Sequence, residues 1–167
     1  MSFAVRSTEA RDAATIWAAA GADPALDGNS WYAYWLLCTR HFSTCAVAYD
    51  EGRMVGFVTG LLDDARPGTL FVWQLWVSPQ DRRQRVAHAL LAHVRATTGV
   101  NVTAVEATID PANTASLRTF ASWAKDTSGT FNQRRELAST DFPPGHGAED
   151  LIQVRWIESS TRHTSPS

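Results

Sequence analysis

The stretch from Thr69 to Ile109 limits the choice of fold more than any other part of the chain. It opens on Thr69-Leu70-Phe71-Val72-Trp73-Gln74-Leu75-Trp76-Val77, a run dense in aromatic and β-branched residues that Pro79 closes. From Gln84 to Thr98 the apolar residues take helical spacing, with Val86, Leu90, Leu91 and Val94 on one face. From Val102 to Ile109 a β-type run returns. Strand, helix and strand in this order form a βαβ unit, whose strands lie parallel and whose crossover is right-handed.

The flanking segments must complete a sheet around that unit. Phe3–Arg6 reads as a strand. Thr8–Ala20 reads as a helix with Ser7 or Thr8 as its cap, stopped by Gly21-Ala22-Asp23-Pro24. Within Ala25–Phe42, Trp31, Tyr34, Trp35 and Cys38 follow the i, i+3, i+4, i+7 stripe of an amphipathic helix, with Asn29 or Ser30 as cap. Thr44–Tyr49 and Met54–Leu62 are strands joined by Asp50-Glu51-Gly52-Arg53, a hairpin signal. Asp63–Gly68 is a loop. After Ile109 come a helix over Thr114–Asp126 and late strands at Gln133–Leu137 and Leu151–Ile157, separated by the loop Asp141–Asp150. The expected fold class is α/β (α+β), a mixed central sheet flanked by helices. One domain over 1–157 is expected, with Glu158–Ser167 as a disordered polar tail.

Composition removes several function classes. Fifteen Lys and Arg stand against 17 Asp and Glu, a net charge of −2, so the basic excess of a nucleic-acid binder is missing. No apolar run approaches the ~20 residues of a membrane span. The start, Met1-Ser2-Phe3-Ala4-Val5-Arg6, lacks a signal-peptide pattern, and a cytoplasmic location is expected. Cys38 and Cys45 are too few for a zinc site and are expected to be free thiols; no metal is expected.

Five constellations can carry chemistry. The turn Ser78-Pro79-Gln80-Asp81-Arg82-Arg83-Gln84-Arg85-Val86-Ala87 leads a strand into a helix start, where free backbone N–H groups and the dipole attract an anion. Three arginines add charge suited to a phosphate; the same turn also reads as a solvated basic helix start. Leu26-Asp27-Gly28-Asn29-Ser30-Trp31-Tyr32-Ala33-Tyr34 sets a carboxylate beside amide and hydroxyl groups, which suits an ammonium ligand or plain helix capping. Glu106 and Thr108 share one face of an apolar strand, where a glutamate is costly unless paired or functional. Trp73 and Trp76 are core residues or cleft walls. His146, in Pro143-Pro144-Gly145-His146-Gly147, is an exposed loop residue or a proton carrier.

Taken together these residues resemble the GNAT acetyltransferases. The phosphate turn beginning at Arg82 and ending at Ala87 and the helix opened by Asn113 carry that likeness. Within the superfamily the likeness is to the L-2,4-diaminobutyrate acetyltransferases of ectoine biosynthesis. It rests on Leu26-Asp27-x-Asn29-Ser30-x-Tyr32-x-Tyr34, Leu37-Cys38-x-x-His41-Phe42-x-Thr44-Cys45, Phe71-Val72-Trp73-Gln74, Glu106-x-Thr108-Ile109-x-Pro111-x-Asn113 and His146-x-x-Glu149-x-Leu151. The resemblance implies the GNAT acyl-CoA N-acyltransferase fold, acetyl-CoA as co-substrate, L-2,4-diaminobutyrate as acceptor, direct attack in a ternary complex and a homodimer, for which the exposed side of Leu151–Ile157 offers a place. Glu106, directly or through water, is the candidate base, and Tyr34 or solvent the acid, since Phe120 stands where many GNAT enzymes carry a tyrosine. Asp27, Asn29, Trp73, Thr108 and His146 are the implied acceptor contacts. Leu75, Val77, Arg82, Arg83, Gln84, Arg85, Val86, Ala87 and Asn113 are the implied cofactor contacts.

The chain departs from the family at one place. Arg83 and Arg85 stand where the family's pyrophosphate loop carries glycines, which let the backbone approach a phosphate closely. Two other readings follow: a GNAT enzyme for another small amine, and a non-catalytic acyl-CoA-binding module.

Overall fold

The computed structural model describes residues 3–157, so the tail expected from Glu158 onward lies outside the described residues. Seven strands form one sheet in the order β1-β2-β3-β4-β5-β7-β6. They are β1 (Ala4–Ser7), β2 (Ala46–Asp50), β3 (Arg53–Leu62), β4 (Thr69–Val77), β5 (Ala104–Ile109), β6 (Thr130–Leu137) and β7 (Glu149–Arg155). Four helices interleave with them: α1 (Asp12–Ala22), α2 (Trp31–Arg40), α3 (Val86–Thr97) and α4 (Thr114–Asp126). Every pairing is antiparallel except β4 with β5, the expected βαβ unit. No helix of the described residues is long and apolar enough to cross a membrane.

Two apolar layers sandwich the sheet. Val86, Leu90, Leu91 and Val94 of α3 and Phe120 and Trp123 of α4 pack with Leu70, Val72, Val105 and Ile152. Ile16 of α1 and Tyr34, Leu37 and Cys38 of α2 pack with Val47 and Phe57. The buried stripe of α2 is therefore rotated from the expected one: Leu37 is inside and Trp31 is 44% exposed. Ser30 caps this helix as expected, its hydroxyl accepting from the Ala33 N–H at 3.2 Å.

Helix α1 starts at Asp12, four residues later than expected, for a non-local reason. Asp12 is buried, accepts the Glu9 N–H at 2.7 Å, and binds both terminal nitrogens of Arg6 on β1 at 2.7 and 2.8 Å. Thr8, the expected cap, instead donates to the Cys38 carbonyl. β6 and β7 also start earlier than expected. β6 is an edge strand paired only with β7, so its polar residues tolerate water and the period-2 signal is weak. β7 lies between β5 and β6, inside the sheet.

One irregularity positions everything that follows. β3 pairs Thr59 with Gln74 and then Gly60 with Val72, leaving Trp73 as an extra residue, a β-bulge. Gly60 faces it closely: a Cβ there would meet the Phe71 carbonyl at 2.7 Å, so no larger residue fits without moving the strand. On its other edge β4 pairs with β5 only over Thr69–Phe71 and Ala104–Glu106. Beyond those pairs the two strands part.

Burial would raise the Asp12 carboxyl, yet the hydrogen bonds from Arg6 and Glu9 hold it below its ordinary 3.8. Arg6→Ala is expected to cost on the order of 2–3 kcal/mol at neutral pH, the low end for breaking a buried pair because Arg6 stays partly in water. A depressed acid stabilises above its unfolded pKa and loses that contribution as pH falls through the folded one. The gap between wild type and variant, read by urea unfolding, therefore narrows as pH drops below 3.8. A gap that stays constant in acid would assign the effect to Arg6 packing on the Tyr49 ring.

Candidate active site

The parting of β4 and β5 opens two adjoining clefts. The first, about 510 Å³, lies between the C-terminal end of β4, the start of α3 and one side of α4. The second, about 790 Å³, lies over the bulge and the end of β5. Ala25, Leu26, Leu75, Asn113 and Ser116 line both, so the clefts share a wall.

Of the nine expected cofactor residues, Leu75, Val77, Arg82, Arg83, Arg85, Val86, Ala87 and Asn113 line the first cleft, and Gln84 does not. Arg83 has φ 78° and Arg85 φ 62°, both left-handed. The conformation that favours glycine is thus kept, with arginines adopting it at a cost on the order of 1 kcal/mol each. Helix α3 begins only at Val86, so the amides of its first turn lack intrahelical partners beside this groove. The Asn113 side chain accepts from Ser116 N–H at 3.1 Å and so fixes the start of α4 at the shared wall.

Four of the five expected acceptor residues, Asp27, Trp73, Thr108 and His146, line the second cleft. The extra residue of the bulge, Trp73, is 41% exposed and forms a wall rather than core. His146 stacks on Phe142 with ring centroids 4.0 Å apart. Its Nε2 lies 3.8 Å from both Asp27 and Glu149. The Gly147 carbonyl, with Asp27 and Glu149, holds its pKa above the ordinary 6.5. The loop that carries Asp27 is tied to β4 twice. The Trp76 indole donates to Asp23 at 2.9 Å, and the Gln74 amide donates to the Asp27 carbonyl at 2.9 Å. Asn29 lines neither cleft; its amide donates to that same Asp27 carbonyl from the exposed side.

The structure does not bring the two expected catalytic residues to the clefts. Glu106 is fully buried and lines neither. Arg66 reaches it from the β3–β4 loop, donating to Oε1 at 3.0 Å, and Gln153 of β7 donates to Oε1 at 2.6 Å. Oε2 lies 2.7 Å from an Arg66 nitrogen but without hydrogen-bond alignment. The charge of this costly strand glutamate is therefore compensated from below the cleft floor. Tyr34 is likewise buried, and its hydroxyl donates to Gln74 Oε1 at 2.8 Å. Tyrosine, glutamine and the Asp27 loop form one chain of hydrogen bonds, which makes Tyr34 a support of the cleft.

Neither cysteine is a nucleophile in waiting. Burial pushes the Cys38 thiol up to about 12 and the Cys45 thiol up to about 11. Sequence reasoning passed over Asp110 and named Glu149 only as part of the family likeness, without a site role; both line the second cleft with Asp27 and make it acidic. Glu149, three residues after His146, had a readable spacing; Asp110 had none, since its place depends on where β5 leaves β4.

The pattern of the acetyltransferase (GNAT) family matches residues 10–123. An L-2,4-diaminobutyric acid acetyltransferase of Nocardia farcinica is 38% identical over 95% of this chain and 82% of its own length. One of Chromohalobacter salexigens is 36% identical over 90% of this chain and 79% of its own. Among solved structures, the diaminobutyrate acetyltransferase EctA of Paenibacillus lautus, held in complex with its substrate L-2,4-diaminobutyric acid and coenzyme A, superposes with a TM-score of 0.87. It is 34% identical and covers 92% of this chain and 95% of that one. The ribosomal-protein-S18-alanine N-acetyltransferase of Escherichia coli shares the fold at 17% identity, with a TM-score of 0.65 and 92% of each chain covered. With a phosphate groove and an acidic cleft meeting where β4 leaves β5, and with these relatives, the chain belongs to the GNAT acetyltransferase family and to the diaminobutyrate acetyltransferases within it.

Proposed function

We propose that the chain transfers the acetyl group of acetyl-CoA to the 4-amino group of L-2,4-diaminobutyrate, giving N4-acetyl-L-2,4-diaminobutyrate and CoA in ectoine biosynthesis. The observation that carries this reading is the shared wall of an anion-binding groove and a cleft rimmed by Asp27, Asp110 and Glu149. An acceptor with two ammonium groups is drawn to such a rim, while a neutral or acidic acceptor is not. Osmoprotection, a cytoplasmic location beside the acetyl donor, and a homodimer belong to the same reading. Trp31, Tyr32 and Leu36 of α2, with Phe42, leave exposed apolar surface for a second copy.

The cofactor's pyrophosphate lies on the first-turn amides of α3, and its thioester arm passes Asn113 along the shared wall. Beyond Phe71 the edge of β4 that faces β5 has no strand partner, and its N–H groups near Leu75–Val77 receive the oxygen of the tetrahedral intermediate. Asp27 and Glu149 hold the ammonium groups, Trp73 walls the four-carbon chain, and Thr108 and His146 take its polar ends. Asn29 acts on the acceptor only by holding the Asp27 backbone. The reacting amine first loses a proton. Glu149 is the base we assign: its side chain is 16% exposed against 79% for Asp27, and Glu106 is held by Arg66. The amine nitrogen attacks the thioester carbon, the C–S bond breaks and the thiolate leaves, and the second proton of the attacking nitrogen passes through solvent to the thiolate, without Tyr34. With both cysteine thiols raised and buried, no acyl-enzyme intervenes.

Release of CoA, trapped with a thiol reagent, tests the reading when L-2,4-diaminobutyrate is compared with ornithine, lysine and no acceptor. Turnover confined to diaminobutyrate is expected; equal turnover with ornithine would make this an enzyme for another amine, and CoA binding without turnover a non-catalytic module. Asp27→Ala is expected to raise the diaminobutyrate KM about tenfold, the worth of one charged contact, and to leave the acetyl-CoA KM unchanged; equal effects on both would make Asp27 structural. Glu149→Gln is expected to lower kcat about a hundredfold or more and to flatten the acid limb of the pH profile. Glu106→Gln is expected to lower stability and leave kcat within a few-fold; the reverse pattern would move the base to Glu106. Arg83→Gly relieves left-handed strain and is expected to raise stability by about 1 kcal/mol in urea unfolding. An unchanged or lower stability would mean that its contacts outweigh the strain.

A further inference from the structure

Arg85 is where the cofactor groove, α3 and α4 meet. It holds a left-handed backbone at φ 62° and ψ 20°, and its side chain crosses to the last turn of α4. There its guanidinium binds Asp126 Oδ2 and lies 3.0 Å from His88 Nδ1. His88 Nδ1 also lies 3.1 Å from Asp126 Oδ2, so it sits between a donor and an acceptor that share one ion pair. His88 Nε2 lies 2.9 Å from Ser122 Oγ, and Ser122 donates to the Thr119 carbonyl at 3.0 Å. Ser122 directs its hydroxyl proton to the Thr119 carbonyl, so the Asp126–His88–Ser122 row is not set as a nucleophilic triad. It is a scaffold that presents one cation to one carboxylate. Arg85, His88, Thr119 and Ser122 all line the groove. Of the other two arginines there, Arg82 approaches only Asp23, at 3.9 Å, and Arg83 has no acidic partner among the described residues.

A carboxylate in this place opposes the groove's task. It sits at the C-terminal end of α4, where the helix dipole already disfavours negative charge. It does not itself line the groove, but through Arg85, which does, it binds a donor fork that would fit a phosphate equally well. The Arg85 and Asp126 side chains are 65% and 39% exposed, so the pair is one that a ligand can exchange.

On the reading that this groove takes acetyl-CoA, we propose that Asp126 competes with the cofactor's phosphates for Arg85. Binding exchanges the carboxylate for a phosphate oxygen on the same guanidinium, and the bare carboxylate left behind lowers cofactor affinity. Asp126 is thus an affinity-setting residue that touches neither the acetyl group nor the acceptor.

The test is calorimetric titration of wild type, Asp126→Asn, Asp126→Ser, Arg85→Gly and the Arg85→Gly/Asp126→Asn pair with CoA, together with KM values for both substrates. Both Asp126 variants are expected to bind CoA about three- to fivefold more tightly, the size of one exposed ion pair. The acetyl-CoA KM falls in parallel while the diaminobutyrate KM stays put. In the Arg85→Gly background, Asp126→Asn is expected to gain clearly less than in wild type, because the shared guanidinium is gone. Weaker or unchanged CoA binding by the Asp126 variants, with melting temperatures intact, would overturn the proposal and make Asp126 a residue that positions Arg85 for the phosphate. A full-sized gain in the double variant would also overturn it, by showing simple charge repulsion. Wild-type protein that binds no CoA would instead remove the assignment of the groove itself, a result distinct from either.

Discussion

Everything functional in this chain depends on β4 leaving β5 after three residue pairs. A sheet that stayed zipped would bury Trp73, Thr108 and the edge of β4, and leave no room for a thioester between them. The departure is built into β4 by the bulge at Trp73, and β3 accommodates the bulge because Gly60 offers no Cβ to collide with the Phe71 carbonyl. The strand is held open because Trp76 and Gln74, beyond its pairing with β5, are themselves used as hydrogen-bond donors. They hold Asp23 and the Asp27 backbone over the opening. The same irregularity that makes the gap therefore also ties down its cover.

Charge is managed in layers around that gap. Beneath the floor, Glu106 is paid for by Arg66 and Gln153, which keeps a central apolar strand from carrying a bare anion. At the rim, Asp27, Asp110 and Glu149 remain in contact with the cleft. Across the shared wall the sign reverses to arginine and helix amides. A cationic acceptor and an anionic donor are thereby suited to opposite sides of one wall.

Much of this was legible in the residues. The periodicity change at Gln84 marks the crossover helix, and the bounds of β4 and α4 coincide with their apolar runs, because each is fully specified by local pattern and punctuation. The phosphate turn could be read from its place between strand and helix. What escaped reading was set by distant partners. Asp12 moves the start of α1 because Arg6 on the neighbouring strand claims it. Glu106 lies paired beside the clefts rather than open to them because a loop arginine forty residues earlier in the chain reaches it. Tyr34 becomes a prop because Gln74 on β4 meets its hydroxyl. The left-handed arginines carry no local signal at all: a glycine announces such a conformation, whereas Arg83 and Arg85 adopt it under the demand of the turn.

The wall common to the two clefts has a consequence for the kind of catalysis on offer. Because Leu26, Leu75, Asn113 and Ser116 are touched from both sides, whatever occupies one cleft narrows the freedom of whatever occupies the other. Two molecules that would meet rarely in dilute solution are held as though parts of one. The translational and rotational entropy of their encounter is then surrendered on binding, before any bond changes. That nearness adds to what a single base can do, since the reaction between an amine and a thioester needs alignment as well as a lost proton.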